Sequence, residues 1–229
     1  MTQFYVDELT KLLSAHAHQE NAKSMKAYMK NHFEFLGIRK PDLNAITKQF
    51  IKEHGIPTDL EQLLHVVTKL WELPEREYQY VALELLGKKK KQLTKENITF
   101  LERLVISKSW WDTVDFIAPH IIGHLFSKYP EMIPSYTDKW IQSNNMWLQR
   151  SAILFQLKYK SKTDTEVLYR VIEACADSSQ FFIRKAIGWA LREYSKTDPT
   201  AVVNFVQTHQ LSSLSEREAL KVLYREGKL

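Results

Sequence analysis

The sequence predicts an all-α chain of short, stacked helices. Three observations point there. Only six glycines occur in 229 residues and β-branched alternation is almost absent, so no stretch reads as a strand. Apolar residues instead recur at three- and four-residue spacing between capping residues and breakers. The third observation is a repeat: positions near Tyr80, Asp115, Arg150 or Ser151, and Ala186 fall about 35 apart, each early in the second helix of a pair. Trp147-Leu148-Gln149-Arg150-Ser151-Ala152 and Phe182-Ile183-Arg184-Lys185-Ala186-Ile187 share an order of aromatic, apolar, basic and small residues. A helical pair of that period, without tetratricopeptide or ankyrin signatures, predicts a right-handed-type α-solenoid of HEAT-like repeats. Its second helices would line a concave face.

Taken in order, residues 4–15 read as the first helix, and Ser24 caps a second that runs to Gly37. Pro41 stands at a first helical position, and that helix runs to Gly55. Thr58 with Glu61 makes a capping box for a helix through Trp71. Pro74 opens the next, which stops at Gly87, and Thr94 with Asn97 starts another. Ser109, answered by Asp112, caps the helix that carries Trp111 and Asp115. Further helices are expected over 130–143, 145–159, 163–176, 179–194, 199–209 and 213–226.

Composition narrows the class. A hydrophobic share of 44% and a charged share of 26% suit a globular protein, and the length needs only a single domain, 1–229. No run of about 18 apolar residues is present, so no membrane span is expected. The N-terminus lacks the basic-then-apolar order of a secretion signal. Cys175 is the lone cysteine, which rules out an internal disulfide framework and fits a reducing, cytoplasmic location. A net charge of +5 is compatible with a polyanionic partner. The run Lys88-Lys89-Lys90-Lys91 reads as a solvated loop or a phosphate-contacting one.

The residues that could carry chemistry gather on three neighbouring helices. Trp111 and Asp115 stand four apart, so they share a helix face, and an indole beside a carboxylate can hold a cation. Trp147 and Arg150 follow on the next helix, then Lys185 and Trp189, with Arg192 three further on. Aromatics interleaved with Arg and Lys suit a nucleic-acid backbone and the face of a nucleoside. Bland readings stand beside these. Trp147 can plug the interface between repeats, and Arg150 can bond neighbouring carbonyls. His120 and His124 are four apart but have no convincing third ligand, so no metal is expected. No Gly-rich phosphate loop occurs.

The segments Ser-Trp-Trp-Asp-Thr-Val-Asp (109–115), Trp-Leu-Gln-Arg (147–150) and Phe-Phe-Ile-Arg-Lys-Ala-Ile-Gly-Trp-Ala-Leu-Arg-Glu-Tyr (181–194) resemble the AlkD family of bacterial DNA alkylation-repair glycosylases. Tyr28-Met29-Lys30-Asn31-His32-Phe33 is similar to it as well. The resemblance implies a concave groove holding duplex DNA and excision of N3- and N7-alkylated purines by cleavage of the N-glycosidic bond. It implies that Asp115 is the catalytic carboxylate and that Trp111 and Trp189 cradle the deoxyribose. It makes Arg150 a backbone contact near the lesion and Tyr28 an aromatic near the same site. Lys185, Arg192 and Lys158 would meet phosphates, with Trp147 also against the DNA. No cofactor and no obligate protein partner is implied, and the chain is expected to act as a monomer. The rivals are a non-catalytic DNA-binding module and a protein scaffold, the commonest use of such stacks.

Overall fold

The computed structural model describes residues 2–229, whose regular elements are all helices with no strand among them. The chain divides into two compact units between Leu93 and Thr94. None of the described helices is long and apolar enough to cross a membrane.

The first unit holds α1 (Thr2–Ala15), α2 (Gln19–Tyr28), α3 (Lys40–His54), α4 (Leu60–Glu72) and α5 (Arg76–Lys89). Leu9 and Leu13 of α1, Leu63 and Leu70 of α4, and Leu85 and Leu86 of α5 are wholly buried and form its core. Each such side chain contributes roughly 1.5–3 kcal/mol on leaving water. The helix expected from Ser24 to Gly37 is not formed. Instead α2 starts earlier, where His18 Nδ1 accepts from the Asn21 N–H, and Ser24 lies mid-helix donating to the Glu20 carbonyl. It ends at Tyr28 because Lys30 and Asn31 take left-handed backbone angles, φ 56° and 60°. The following loop is held from α5: the carboxylate of Glu77 accepts the backbone N–H groups of Leu36, Gly37 and Ile38 at 3.0, 2.8 and 3.1 Å. Gly37 is required there, since its φ is +89° and a Cβ would lie 2.0 Å from the His18 carbonyl oxygen. Thr58 yields its expected capping role to Asp59, which accepts from the Gln62 N–H at 2.8 Å.

The second unit begins with α6 (Ile98–Ile106). Then α7 (Trp111–Phe116) runs through a π-helical turn (Ile117–Ile122) into α8 (Gly123–Lys128). After it come α9 (Ile133–Ile141), α10 (Met146–Leu154), α11 (Thr165–Cys175), α12 (Phe181–Tyr194), α13 (Pro199–Thr208) and α14 (Ser213–Arg225). The second helices lie side by side in chain order, α7 against α10, α10 against α12, and α12 against α14. The partner helices α9 and α11 pack on each other and on α10. That is the nearest-neighbour stacking a helical repeat demands. Phe126, Trp140 and Phe155 fill the interior, with Phe126 stacked on Trp140 at 5.6 Å and edge-on to Phe155 at 5.2 Å.

Side-chain capping sets several boundaries. Asn145 accepts from the N–H groups of Trp147 and Leu148, Ser212 caps α14, and Thr94 with Asn97 forms the expected box. Two helices begin two residues inside their expected ranges: Asp164 caps α11, which starts at Thr165, and Gln180 precedes α12, which starts at Phe181. Ser109 does not cap α7; its hydroxyl turns back to the Val105 carbonyl at 2.7 Å, closing the previous helix, and Trp110 takes the extended position before α7.

Candidate functional site

The site starts from one turn of α7. Trp111 is its first residue and Asp115 its fifth, so the two side chains leave the same face. In an α-helix the Asp115 carbonyl would accept from residue 119, but residue 119 is proline and has no N–H. Just there the helix widens, and the Gly123 N–H reaches the Ala118 carbonyl five residues back. Such π turns often accompany functional residues.

Asp115 is gripped from the next helix. Arg150 donates from Nε to Oδ1 at 2.7 Å and from Nη2 to Oδ2 at 2.8 Å, a two-bond fork. Its remaining nitrogen, Nη1, donates to the Phe182 carbonyl in the first turn of α12. One guanidinium therefore ties α7, α10 and α12 together. The pairing gives Arg150 a different place from the expected phosphate contact: it is 4% exposed and each of its nitrogens has a protein acceptor. Burial pushes the Asp115 carboxyl above the usual carboxylate range, and the bonds and charge of Arg150 pull it part of the way back. Asp112 adds a smaller upward push.

Behind this pair sits an aromatic triangle. Trp110 and Trp147 lie 5.8 Å apart, and each has its ring centre 5.1 Å from that of Phe182. Trp147 is buried in it, the place that the reading as a plug between repeats gives it. It braces the ends of α10 and α12. Trp111 and Trp189 are half-buried. Phe182, Lys185, Trp189 and Arg192 fall at i, i+3, i+7 and i+10, a single stripe of α12. The stripe begins at the residue that Arg150 holds.

The cations of that stripe are engaged as well. Glu218 of α14 meets Lys185 Nζ at 2.9 Å and pairs with the Arg192 guanidinium. These bonds hold the Glu218 carboxyl below the usual range. Sequence reasoning did not find Glu218, nor the Phe182 carbonyl as an acceptor. Gly188 lets α14 come that close, since a Cβ there would stand 2.5 Å from the Glu218 Cβ. Lys158 is exposed in the turn after α10 and pairs with no described residue. Tyr28, in the first unit, ends α2 and is 70% exposed beside a small apolar cavity formed with Met25, Met29, Phe35 and Tyr80. No three His, Cys, Asp or Glu side chains among the described residues come together as a metal site requires.

The family model for DNA alkylation repair enzymes matches residues 9–223, nearly the whole chain. The chain belongs to that family. Membership gives it a role in the repair of alkylated DNA, as an enzyme. Among solved structures, a predicted DNA alkylation repair enzyme from Enterococcus faecalis is similar at 36% identity. The match covers 90% of this chain and 96% of that one, with a TM-score of 0.82. The smu.31 protein of Streptococcus mutans UA159 shares the fold at 20% identity and a TM-score of 0.58, over 89% of this chain and 97% of its own. No curated protein matches the chain. The all-α reading and the resemblance stated from the sequence both hold for this DNA alkylation repair family member.

Proposed function

We propose that this alkylation-repair protein is a DNA glycosylase that releases N3- and N7-alkylated purines from duplex DNA. The observation that carries the reading is the orientation of Asp115. It shares a helix face with Trp111, is largely withdrawn from water, and is held by two hydrogen bonds from Arg150.

The chemistry follows from the substrate's charge. An N3- or N7-alkylpurine is already cationic, so the base departs neutral and needs no proton from the protein. What develops instead is positive charge on the deoxyribose as the C1′–N bond opens. Asp115 supplies the opposite charge and a fixed acceptor for the attacking water. The faces of Trp111 and Trp189 add about 0.5–2 kcal/mol each as cation–π partners. That sum is small against a glycosidic barrier, so the lesion's own charge must supply much of the rate. Arg150 is a positioning residue: it keeps a buried carboxylate ionised and aimed.

The test is release of free base from a duplex carrying one 7-methylguanine, wild type beside Asp115→Asn, with a uracil duplex as a neutral control. Release by wild type, collapse in the variant with DNA binding retained, and inertness toward uracil are the expected results. A second reading is favoured by the completeness of the Asp115–Arg150 pair: the two would be a structural tie in a protein that binds alkylated DNA without cleaving it. Binding with no release by either form would establish that reading. Release unaffected by the substitution would keep the enzyme and remove Asp115 from its mechanism.

A further inference from the structure

Outside the site just described, a cleft with a volume of about 420 Å³ opens between the last turns of α10 and α12 and the start of α11. Its floor is apolar, from Ile153, Leu157, Leu168 and Ala190, with the ring of Tyr194 beside them. Two turns of identical sequence form its rim. Ser-Lys-Thr-Asp occurs at 161–164 and again at 195–198, following successive second helices.

The two turns are built alike. Asp164 caps α11 by accepting from the Val167 N–H, and Asp198 caps α13 by accepting from the Ala201 N–H. Thr163 N–H donates to the Lys160 carbonyl and Thr197 N–H to the Tyr194 carbonyl, the same bond three residues back. The first turn is further clamped by the buried Gln156 amide, which bonds both the N–H and the carbonyl of Asp164. Lys160 is held in a left-handed backbone conformation, φ 54°, a cost usually retained where a ligand or function needs it.

These turns bring Lys160, Lys196, Thr163 and Thr197 to one cleft. Neither threonine hydroxyl bonds to another described residue, and Lys160 has no ion-pair partner among them. Lys196 pairs only with Glu193, three residues before it, an exposed contact of little strength that a dianion can displace. Two ammonium groups, two available hydroxyls, an apolar floor and an aromatic ring, in a volume suited to a small ligand, match a phosphate monoester with a flat apolar body.

We propose that this cleft binds a nucleotide through its phosphate, either as a free mononucleotide or as the phosphorylated end of a DNA strand. The site is separate from the Asp115 face. On α12 the cleft takes Ala190, Glu193, Tyr194 and the following Thr197, whereas Phe182, Lys185, Trp189 and Arg192 form the neighbouring stripe.

The experiment is calorimetric titration of the full chain with dGMP, with deoxyguanosine and with inorganic phosphate. It is repeated for Lys160→Gln, Lys196→Gln, their combination and Asp115→Asn. The expected result is one dGMP per chain, with deoxyguanosine and inorganic phosphate each much weaker. Each lysine substitution should weaken dGMP by about tenfold, the worth of one charge-assisted contact, while Asp115→Asn leaves it unchanged. A 5′-phosphorylated single strand that competes with dGMP identifies a strand end as occupant, and a failure to compete identifies the free nucleotide. Absence of dGMP and strand binding at about millimolar concentration, or binding that survives the double lysine substitution, overturns the proposal. None of these readings depends on base release, so the glycosylase assignment stands or falls apart from it.

Discussion

Arg150 is the residue on which the site turns, and its behaviour yields a pH prediction. The Asp115 carboxyl is raised by burial and lowered by Arg150, and only its ionised form can oppose charge on the sugar. Activity should therefore fall on the acid side at a pH above the roughly 3.9 of an ordinary aspartate. In Arg150→Gln the lowering influence is lost, so the acid limb should move to higher pH, measured as base release from the 7-methylguanine duplex across a pH series. An unmoved limb with uniformly lower rate would make Arg150 a purely structural tie. The substitution should also reduce stability by about 3–5 kcal/mol at neutral pH, as loss of one partner of a buried pair does, read as a lower Tm. Much of the pair's existence was open to sequence reasoning in hindsight. Asp115 and Arg150 are separated by 35 residues, the length of the repeat, so equivalent positions of neighbouring second helices meet. Side chains on one helix declare a common face by spacing; partners on two helices do so only through the repeat register. Trp147 shows the opposite case, because an indole in a repeat stack looks the same in sequence whether it meets solvent or Phe182.

Among the elements, α12 carries the most. Its one face meets Arg150 through Phe182, and against α14 it packs so closely that Gly188 has no room for a methyl group. In an open helix Gly→Ala stabilises by about 1 kcal/mol. Here Gly188→Ala should instead destabilise by about 1–3 kcal/mol, because the new Cβ meets the Ser215 carbonyl oxygen at 2.8 Å as well as the Glu218 Cβ. A chemical denaturation curve would decide the sign, and a gain in stability would mean that α14 sits elsewhere. Helix existence was legible almost everywhere, whereas boundaries were set by competition among neighbouring polar side chains. Asp59 beats Thr58, and Ser109 finds a better acceptor in the helix it closes than in the helix it precedes. The loss of a helix between Met29 and Gly37 had no local signal, since Glu77, which satisfies that loop, lies on a helix far along the chain.

At the scale of the whole chain, charge is the property that reaches a DNA partner first. The excess of five positive charges is spread over a surface where Lys185 and Arg192 are already answered by Glu218. Affinity for undamaged duplex should fall steeply with added salt, the logarithmic slope approaching about −0.9 for every phosphate contacted. A slope near zero would take the backbone out of recognition. The all-α class was readable because a sequence poor in glycine and punctuated by caps leaves few alternatives. The division after Leu93 was not, because no proline- or glycine-rich linker marks it.

The one-period spacing of the ties in the second unit has a further consequence for how that unit comes apart. Asp115 to Arg150, Glu102 to Lys139, Gly123 to Tyr159 and Asp138 to Arg170 each join one repeat to the next and skip none. Such a stack melts like a row of dominoes, from its ends toward its middle. Amide hydrogen exchange should be slowest in α10, which has neighbours on both sides, and fastest in α14, which closes the row. Arg150 stands on α10 inside that row, so warming should fray the C-terminal helix before it loosens the arginine that holds Asp115.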